Sequence, residues 1–361
     1  MPLLELSNQH LVVSNGLRIS VIEVGPGSVH EEFLCILPEF VGDKSKNSGS
    51  TELDIVIGSF SPSGRLFIVV DSFKRLFVIQ TNEWKIGSVF NVERRPTQVI
   101  CEENFVLVSD GSGDVYHFDL EGKKSKLLMG HLSMILDMKL SPNKRFLATS
   151  DRDEKIRVSN FPNSYNIHSF CLSHSEFVSS ISFVNDNLLL SGSGDGTLKL
   201  WTFMDGKLVY DYDCKKALET SKLDQEIAVK NILQLNQSTF SVSFYSSNCL
   251  LIVSISDQTI RMERLLTFTS TCYKQFTFKS LHVIFSDSDE KIITCLDFER
   301  GFMESNHSLP FLDKQKVKSL VTESLKGLNS REEEIKILYK QWFNNVDSYM
   351  KKKEERIKGT G

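Results

Sequence analysis

The sequence has no run approaching the roughly 18 apolar residues that a membrane-spanning helix needs. Its opening, MPLLELSNQH, lacks the charged segment and apolar core of a secretory leader. The chain is therefore expected to be soluble and intracellular, with no membrane association. Its seven cysteines (Cys35, Cys101, Cys171, Cys214, Cys249, Cys272 and Cys295) never come closer than 23 positions. That spacing excludes a CxxC zinc or redox motif, and the odd number argues against a disulfide framework, so they read as buried thiols. Eight histidines are scattered without an HExxH pattern, and no P-loop glycine pattern occurs, so no metal site is expected. Charge of neither sign dominates, with 42 Lys and Arg against 46 Asp and Glu. The whole molecule is not a basic binder of nucleic acid, and any such surface must be local.

What the chain does have is repetition. Leu140-SPNKRFLATSDRDEKIRVS-Asn160 and Phe183-VNDNLLLSGSGDGTLKL-Trp201 follow one plan: a strand, a turn, an apolar strand, a Ser/Asp-rich tight turn and an alternating strand. Asp153 and Asp195 then hold equivalent turn positions, and His131 precedes His174 by 43 residues. That period matches WD-repeat blades of about 40 to 45 residues. Weaker copies surround Ser61-Pro62, the stretch Gln98 to Leu120, Asn231 to Ile255 and Tyr273 to Phe298. His10 to Val24 reads as a hairpin turning at Asn15-Gly16. Six copies and this half blade predict an all-β, seven-bladed WD-repeat β-propeller over residues 1–305, closed by the N-terminal hairpin together with a late strand.

Several repeat residues have a structural task in such blades. The fourth copy carries His174, Ser191, Asp195 and Trp201, a set that can form a buried hydrogen-bond chain inside one blade. Reading the first three as a hydrolytic triad would mistake that chain for a catalytic one. Residues 26–51, rich in Gly, Ser and Lys, are expected as a flexible loop, and Asp211 to Glu226 as a short helix or loop.

Residues 306–361 differ in kind, with 12 basic against 8 acidic residues. Ser330 and Glu333 form a capping box, and Ile335, Leu338, Trp342, Val346 and Tyr349 recur at helical spacing. An amphipathic helix is expected over about 331–353, its stripe facing the propeller or a partner. Lys351, Lys352, Lys353, Arg356 and Lys358 follow as a basic cluster suited to tRNA phosphates, to solvent or to nuclear import.

One string pulls toward an enzyme. Ile19-SVIEVGPGS-Val29 looks like the glycine loop of S-adenosylmethionine-dependent methyltransferases, but Val29 stands where a third glycine would be and no βαβ pattern follows. The string Thr149-SDRDEKIRVS-Asn160 is more informative. It places Asp151, Arg152, Asp153, Glu154, Lys155 and Arg157 within seven positions, with Lys155, Arg157 and Ser159 on one strand face opposite Ile156 and Val158. Such a string is either a solvated blade edge or a charged docking site.

SDRDEKIRVS, followed by FCLSHSEFVSSISF and LLLSGSGDGTLKLW, closely resembles the non-catalytic WD-repeat subunit of eukaryotic tRNA (guanine-N7) methyltransferase, the Wuho-type family. The likeness is strongest over Gly130 to Trp201. It implies a scaffold without an active site of its own, forming a heterodimer with a catalytic subunit that binds S-adenosylmethionine and methylates a guanosine in the tRNA variable loop. No cofactor is then expected on this chain. The resemblance carries over Arg157 as the residue that pairs with a carboxylate of that subunit, with Glu154, Lys155 and Arg152 as its neighbours. It also implies work in the nucleus, with the cytoplasm as a second compartment. Two other readings stay open: a general WD-repeat adaptor such as a ubiquitin-ligase substrate receptor, whose usual Trp-Asp-x-Arg ending is absent after Trp201, and a self-sufficient methyltransferase using Gly25-Pro26-Gly27.

Overall fold

Period-two alternation broken by Ser, Asp, Asn and Gly turns favours short antiparallel strands. The computed structural model describes residues 3–24, 32–38, 54–218, 227–245, 247–269, 272–286, 293–304, 335 and 338–339. These form seven four-stranded sheets, each from strands consecutive in the chain. Blade 1 holds β1 (Leu4–Leu6), β2 (His10–Asn15), β3 (Arg18–Glu23) and β4 (Glu32–Ile36). Blade 2 holds β5 (Ile55–Phe60), β6 (Leu66–Asp71), β7 (Arg75–Gln80) and β8 (Lys85–Asn91), and blade 3 holds β9 (Pro96–Cys101), β10 (Phe105–Asp110), β11 (Asp114–Asp119) and β12 (Lys124–Gly130). Blade 4 holds β13 (Ile135–Leu140), β14 (Phe146–Asp151), β15 (Ile156–Asn160) and β16 (Ile167–Cys171). Blade 5 holds β17 (Val178–Phe183), β18 (Leu188–Ser193), β19 (Thr197–Thr202) and β20 (Lys207–Asp213). After α1 (Cys214–Leu218), blade 6 holds β21 (Val229–Gln234), β22 (Thr239–Phe244), β23 (Cys249–Ser256) and β24 (Thr259–Thr267). Blade 7 holds β25 (Cys272–Phe278), β26 (Leu281–Ser286), β27 (Ile293–Asp297) and β28 (Met303–Glu304).

First strands lie against first strands of the neighbouring blades, as β5 on β9, β9 on β13, β13 on β17 and β17 on β21. The core therefore sits between blades. Phe146, Ala148, Ile156 and Val158 of blade 4 pack on Val178, Ile181, Leu189 and Trp201 of blade 5. Both β14 and β18 are buried along their whole length, which is why they read as unbroken apolar and small residues in place of an alternation. Polar links join the inner strands. The Asp137 carboxylate of β13 accepts from Ile181 N–H (2.9 Å) and the Ser180 hydroxyl (3.2 Å) of β17.

Ring closure differs from the expectation. Among the described residues no strand is exchanged between the chain ends: β1 pairs with β2 from Leu4↔Val13 to Leu6↔Leu11, so the N-terminal blade is complete in itself. The seam is instead a packed contact. Leu4, Leu11 and Val13 meet Phe276, Val283 and Phe285, while Lys274 Nζ donates to Leu4 O (2.8 Å) and Glu5 Oε1 (2.6 Å). The missed strand was hidden in the stretch 26–51, where the run Glu32–Ile36 forms β4 inside a segment otherwise too polar to suggest one. The hairpin is present one residue later than read, because Asn15 pairs with Arg18 and leaves Gly16-Leu17 as the loop. Of the segment 211–226, Asp211–Asp213 end β20, Cys214–Leu218 form α1, and residues 219–226 lie outside the described residues.

One turn of the tail is placed. Ile335 and Leu338 are helical, the Tyr339 N–H donates to Ile335 O (3.4 Å), and the Tyr339 hydroxyl donates to Gly194 O (3.2 Å). The Tyr339 ring also packs edge-on against Phe177, 5.1 Å between centroids, which puts this turn on blade 5. Ser330, Glu333, the remainder of the expected helix and the cluster Lys351, Lys352, Lys353, Arg356 and Lys358 lie outside the described residues, as does Gly25-Pro26-Gly27.

Candidate partner-binding site on the fourth blade

Blades 4 and 5 share a buried polar device built from a histidine before the first strand and a carboxylate at the turn between the second and third. In blade 5, Trp201 Nε1 donates to Ser191 Oγ (2.8 Å), Ser191 Oγ lies 2.8 Å from His174 Nε2, and His174 Nδ1 lies 2.9 Å from Asp195 Oδ2. An ionised carboxylate only accepts, so His174 Nδ1 donates to Asp195. Burial by itself would raise the Asp195 carboxyl. Hydrogen bonding and attraction from His174, with the Thr197 hydroxyl and the Ser175 N–H, instead hold it well below the usual carboxylate range. Every polar end of this chain faces another member of the blade, which makes it a fastening.

Blade 4 repeats the device with a shifted carboxylate. His131 Nε2 lies 2.7 Å from Thr149 Oγ1 and Nδ1 lies 2.9 Å from Asp151 Oδ2, so the partner of the histidine is Asp151 and not Asp153, the counterpart of Asp195 by spacing. The reason is local. Asp151 Oδ1 also accepts from the N–H groups of Asp153 and Lys155, both at 2.9 Å, closing the turn from its first residue. Asp71 and Asp110 close the corresponding turns of blades 2 and 3 by accepting from the residues two and four positions on. An Asp ending the second strand, at 71, 110 and 151, was the available signal, and the repeat alignment on Asp153 masked it.

The third strand of blade 4 departs further from blade 5. Leu189 pairs with Trp201 in blade 5, and Leu147 pairs with Ser159 in blade 4, so a small hydroxyl stands where the neighbour has an indole. The Arg157 guanidinium turns into that space. Its Nε donates to Ser159 Oγ (2.9 Å), Nη1 to Gly130 O of β12 (2.9 Å) and Nη2 to Ser164 O (2.8 Å). Arg157 is only 8% exposed, and burial lowers its pKa from the ordinary guanidinium value. It bridges blade 3, its own strand and the loop before β16, and among the described residues it has no ion-pair partner. Three of its five N–H groups are used, leaving one on each terminal nitrogen.

Register shows what is missing. Lys199 in blade 5 occupies the position of Arg157, since Ser191 pairs with Lys199 as Thr149 pairs with Arg157. Lys199 is buried too, and Asp211, directly across on β20, forms an ion pair with it. The residue across from Arg157 on β16 is Phe170. The remaining charged residues of the string frame the turn. Arg152 is half-buried with an Nε that has no hydrogen-bond partner, Lys155 is exposed, and Glu154 is half-buried at φ +72°, a left-handed conformation that Gly196 (φ +80°) adopts at the matching turn of blade 5. The structure thus puts Arg152, Glu154 and Lys155 on the turn between β14 and β15, while Arg157 on β15 extends its basic group beneath the surface toward Ser159 and the loop before β16. Among the described residues, no group of three His, Cys, Asp or Glu side chains converges as a metal site would.

Fold and site together define a WD-repeat β-propeller whose polar clusters fasten blades and whose fourth blade carries a turn rich in charge. A family profile described as the tRNA methyltransferase TRM82 WD40 domain matches residues 120–316. The chain belongs to this family of non-catalytic WD-repeat subunits of tRNA (guanine-N(7)-)-methyltransferase. It is 34% identical over 342 residues to the subunit wdr4 of Danio rerio, covering 88% of this chain and 81% of the relative. Identity to WDR4 of Homo sapiens is 42% over 220 residues, 57% of this chain and 53% of that protein, and to wuho of Drosophila grimshawi 26% over 332 residues, 88% and 83% respectively. Among solved structures, a chain of the mitotic checkpoint complex superposes with a TM-score of 0.64 at 15% identity, covering 79% of this chain and 86% of that one. The designed protein Ika8 gives 0.60 at 15%, covering 81% and 82%. These two likenesses concern the fold alone.

Proposed function

We propose that this chain is the scaffold subunit of a tRNA guanine-N7 methyltransferase, docking the catalytic subunit on the docking turn of blade 4. The observation that carries this is Arg157: a buried guanidinium, in the string that the family resemblance assigns to the partner, without the carboxylate that its counterpart Lys199 finds across the strand. A carboxylate from the catalytic subunit completes it. Such a partly desolvated pair sets register and orientation more than it adds affinity. Arg152, Glu154 and Lys155 surround that contact, and the two subunits form a heterodimer.

In this division of labour S-adenosylmethionine is held by the catalytic subunit and none by this chain. The propeller acts by binding the competent conformation of its partner better than other conformations, which shifts the population toward it. Lys351, Lys352, Lys353, Arg356 and Lys358 contribute phosphate contacts to tRNA, a sequence-independent and salt-sensitive interaction. The complex works in the nucleus, with the cytoplasm as a second compartment. Methyl transfer to tRNA guanine N7 tests the reading directly, with each subunit alone and with both together. Activity that appears or rises strongly only with both is expected, whereas activity from this chain alone, or none in any combination, overturns it.

A further inference from the structure

Four large apolar side chains around Arg157 are left in solvent. Leu132 is fully exposed, Tyr165 69% exposed, Leu172 60% and Phe170 40%. Scattered exposed leucines need no explanation, but these four are not scattered. Each stands within two residues of a group that touches or pairs with Arg157. Leu132 is two residues beyond Gly130 and Tyr165 one beyond Ser164, and the two carbonyls accept from the two ends of one guanidinium. Phe170 is the cross-strand partner of Arg157, and Leu172 follows two residues later along the same edge, next to Cys171, which pairs with Ile156.

We infer that Leu132, Tyr165, Phe170 and Leu172 form the apolar contact surface for the catalytic methyltransferase subunit, and that Arg157 holds that surface in shape from beneath. This rests on the scaffold reading above and specifies its interface. Two observations define the chemistry of the occupant. Blade 5 places Asp211 where blade 4 places Phe170, so the surface at this register is apolar and the cation behind it lacks an acid within the described residues. The Nε of Arg152, one residue beyond the end of β14, is a buried donor without an acceptor. The complementary surface is therefore apolar with a carboxylate at its centre, the arrangement in which a desolvated polar anchor is ringed by hydrophobic contacts. Arg157 serves as a positioning residue for the two loops that carry Leu132 and Tyr165, and its remaining N–H groups meet the carboxylate.

The test uses the full chain, the purified catalytic subunit and the double substitution Leu132→Ser with Leu172→Ser. Both side chains lie in solvent, so the thermal midpoint is expected to stay within about 2 °C of the original, as for surface substitutions generally. The dissociation constant for the catalytic subunit is expected to rise about tenfold or more, the loss of interface contacts worth about 1.4 kcal/mol or above. Unchanged affinity in the double variant, with the unsubstituted chain binding normally, overturns the apolar surface and leaves the scaffold reading standing. Failure of the unsubstituted chain to bind overturns the scaffold reading itself. Sedimentation of this chain alone covers the other occupant: a dimer that the double substitution disperses assigns the patch to a second copy and overturns the inference.

Discussion

Blades 4 and 5 follow one plan and part at one position of the third strand and one of the fourth. Blade 5 completes itself: Trp201 closes its hydrogen-bond chain and Asp211 neutralises Lys199. Blade 4 keeps the histidine, the hydroxyl and the carboxylate, but puts Ser159 in the place of Trp201 and Phe170 in the place of Asp211. The first change makes room for a buried guanidinium and the second leaves it without an acid among the described residues. A blade that satisfies its own polar groups is a structural element, and one left a carboxylate short is a candidate for completion by another molecule.

Substitutions at these positions break the comparison by different amounts. Trp201→Ala removes a fully buried indole from the interface of blades 4 and 5 and should cost about 3 to 5 kcal/mol of folding stability in urea titrations. Arg157→Met keeps most of the volume but leaves Gly130 O and Ser164 O without their donor, for a smaller loss of about 1 to 3 kcal/mol. If Arg157→Met were as stable as the original, the guanidinium would have no fastening role.

The effect of acid is the smallest. Because the folded-state Asp195 carboxyl lies below its unfolded value of about 3.9, its contribution is complete above that pH and is lost as pH falls toward the folded value. The stability of the original chain should therefore drop more steeply below about pH 4 than that of Asp195→Asn, which starts weaker at neutral pH. Parallel pH profiles would remove Asp195 from the account.

The architecture was legible because a repeat announces itself through spacing: turns and strands recurring every 40-odd residues predict blades whatever fills them. The four residues of the blade 5 chain were legible for the same reason. Closure was not, since Leu4–Leu6 and Glu32–Ile36 are strands too short to stand out from polar surroundings, and both were needed to see that blade 1 is whole. The choice of Asp151 over Asp153 turned on which carboxylate reaches the turn N–H groups, a matter of backbone geometry that repeat spacing does not encode. The string around Arg157 was visible as charge, but alternation alone suggested a surface strand. The burial of β15 on both faces, the internal bonds of Arg157 and the exposed apolar rim depend on how blade 3 and the loop through Ser164 come together.

The affinity of Phe170→Asp for the catalytic subunit decides whether blade 4 is completed by its partner. This substitution places a carboxylate across from Arg157, as Asp211 stands across from Lys199, and so completes blade 4 from within. The substituted chain is expected to fold at least as stably as the original and to bind its partner about tenfold or more weakly, because the guanidinium is already neutralised and the apolar rim is broken. Unchanged or tighter binding would contradict it, for then the missing carboxylate of blade 4 would not be what the catalytic subunit brings.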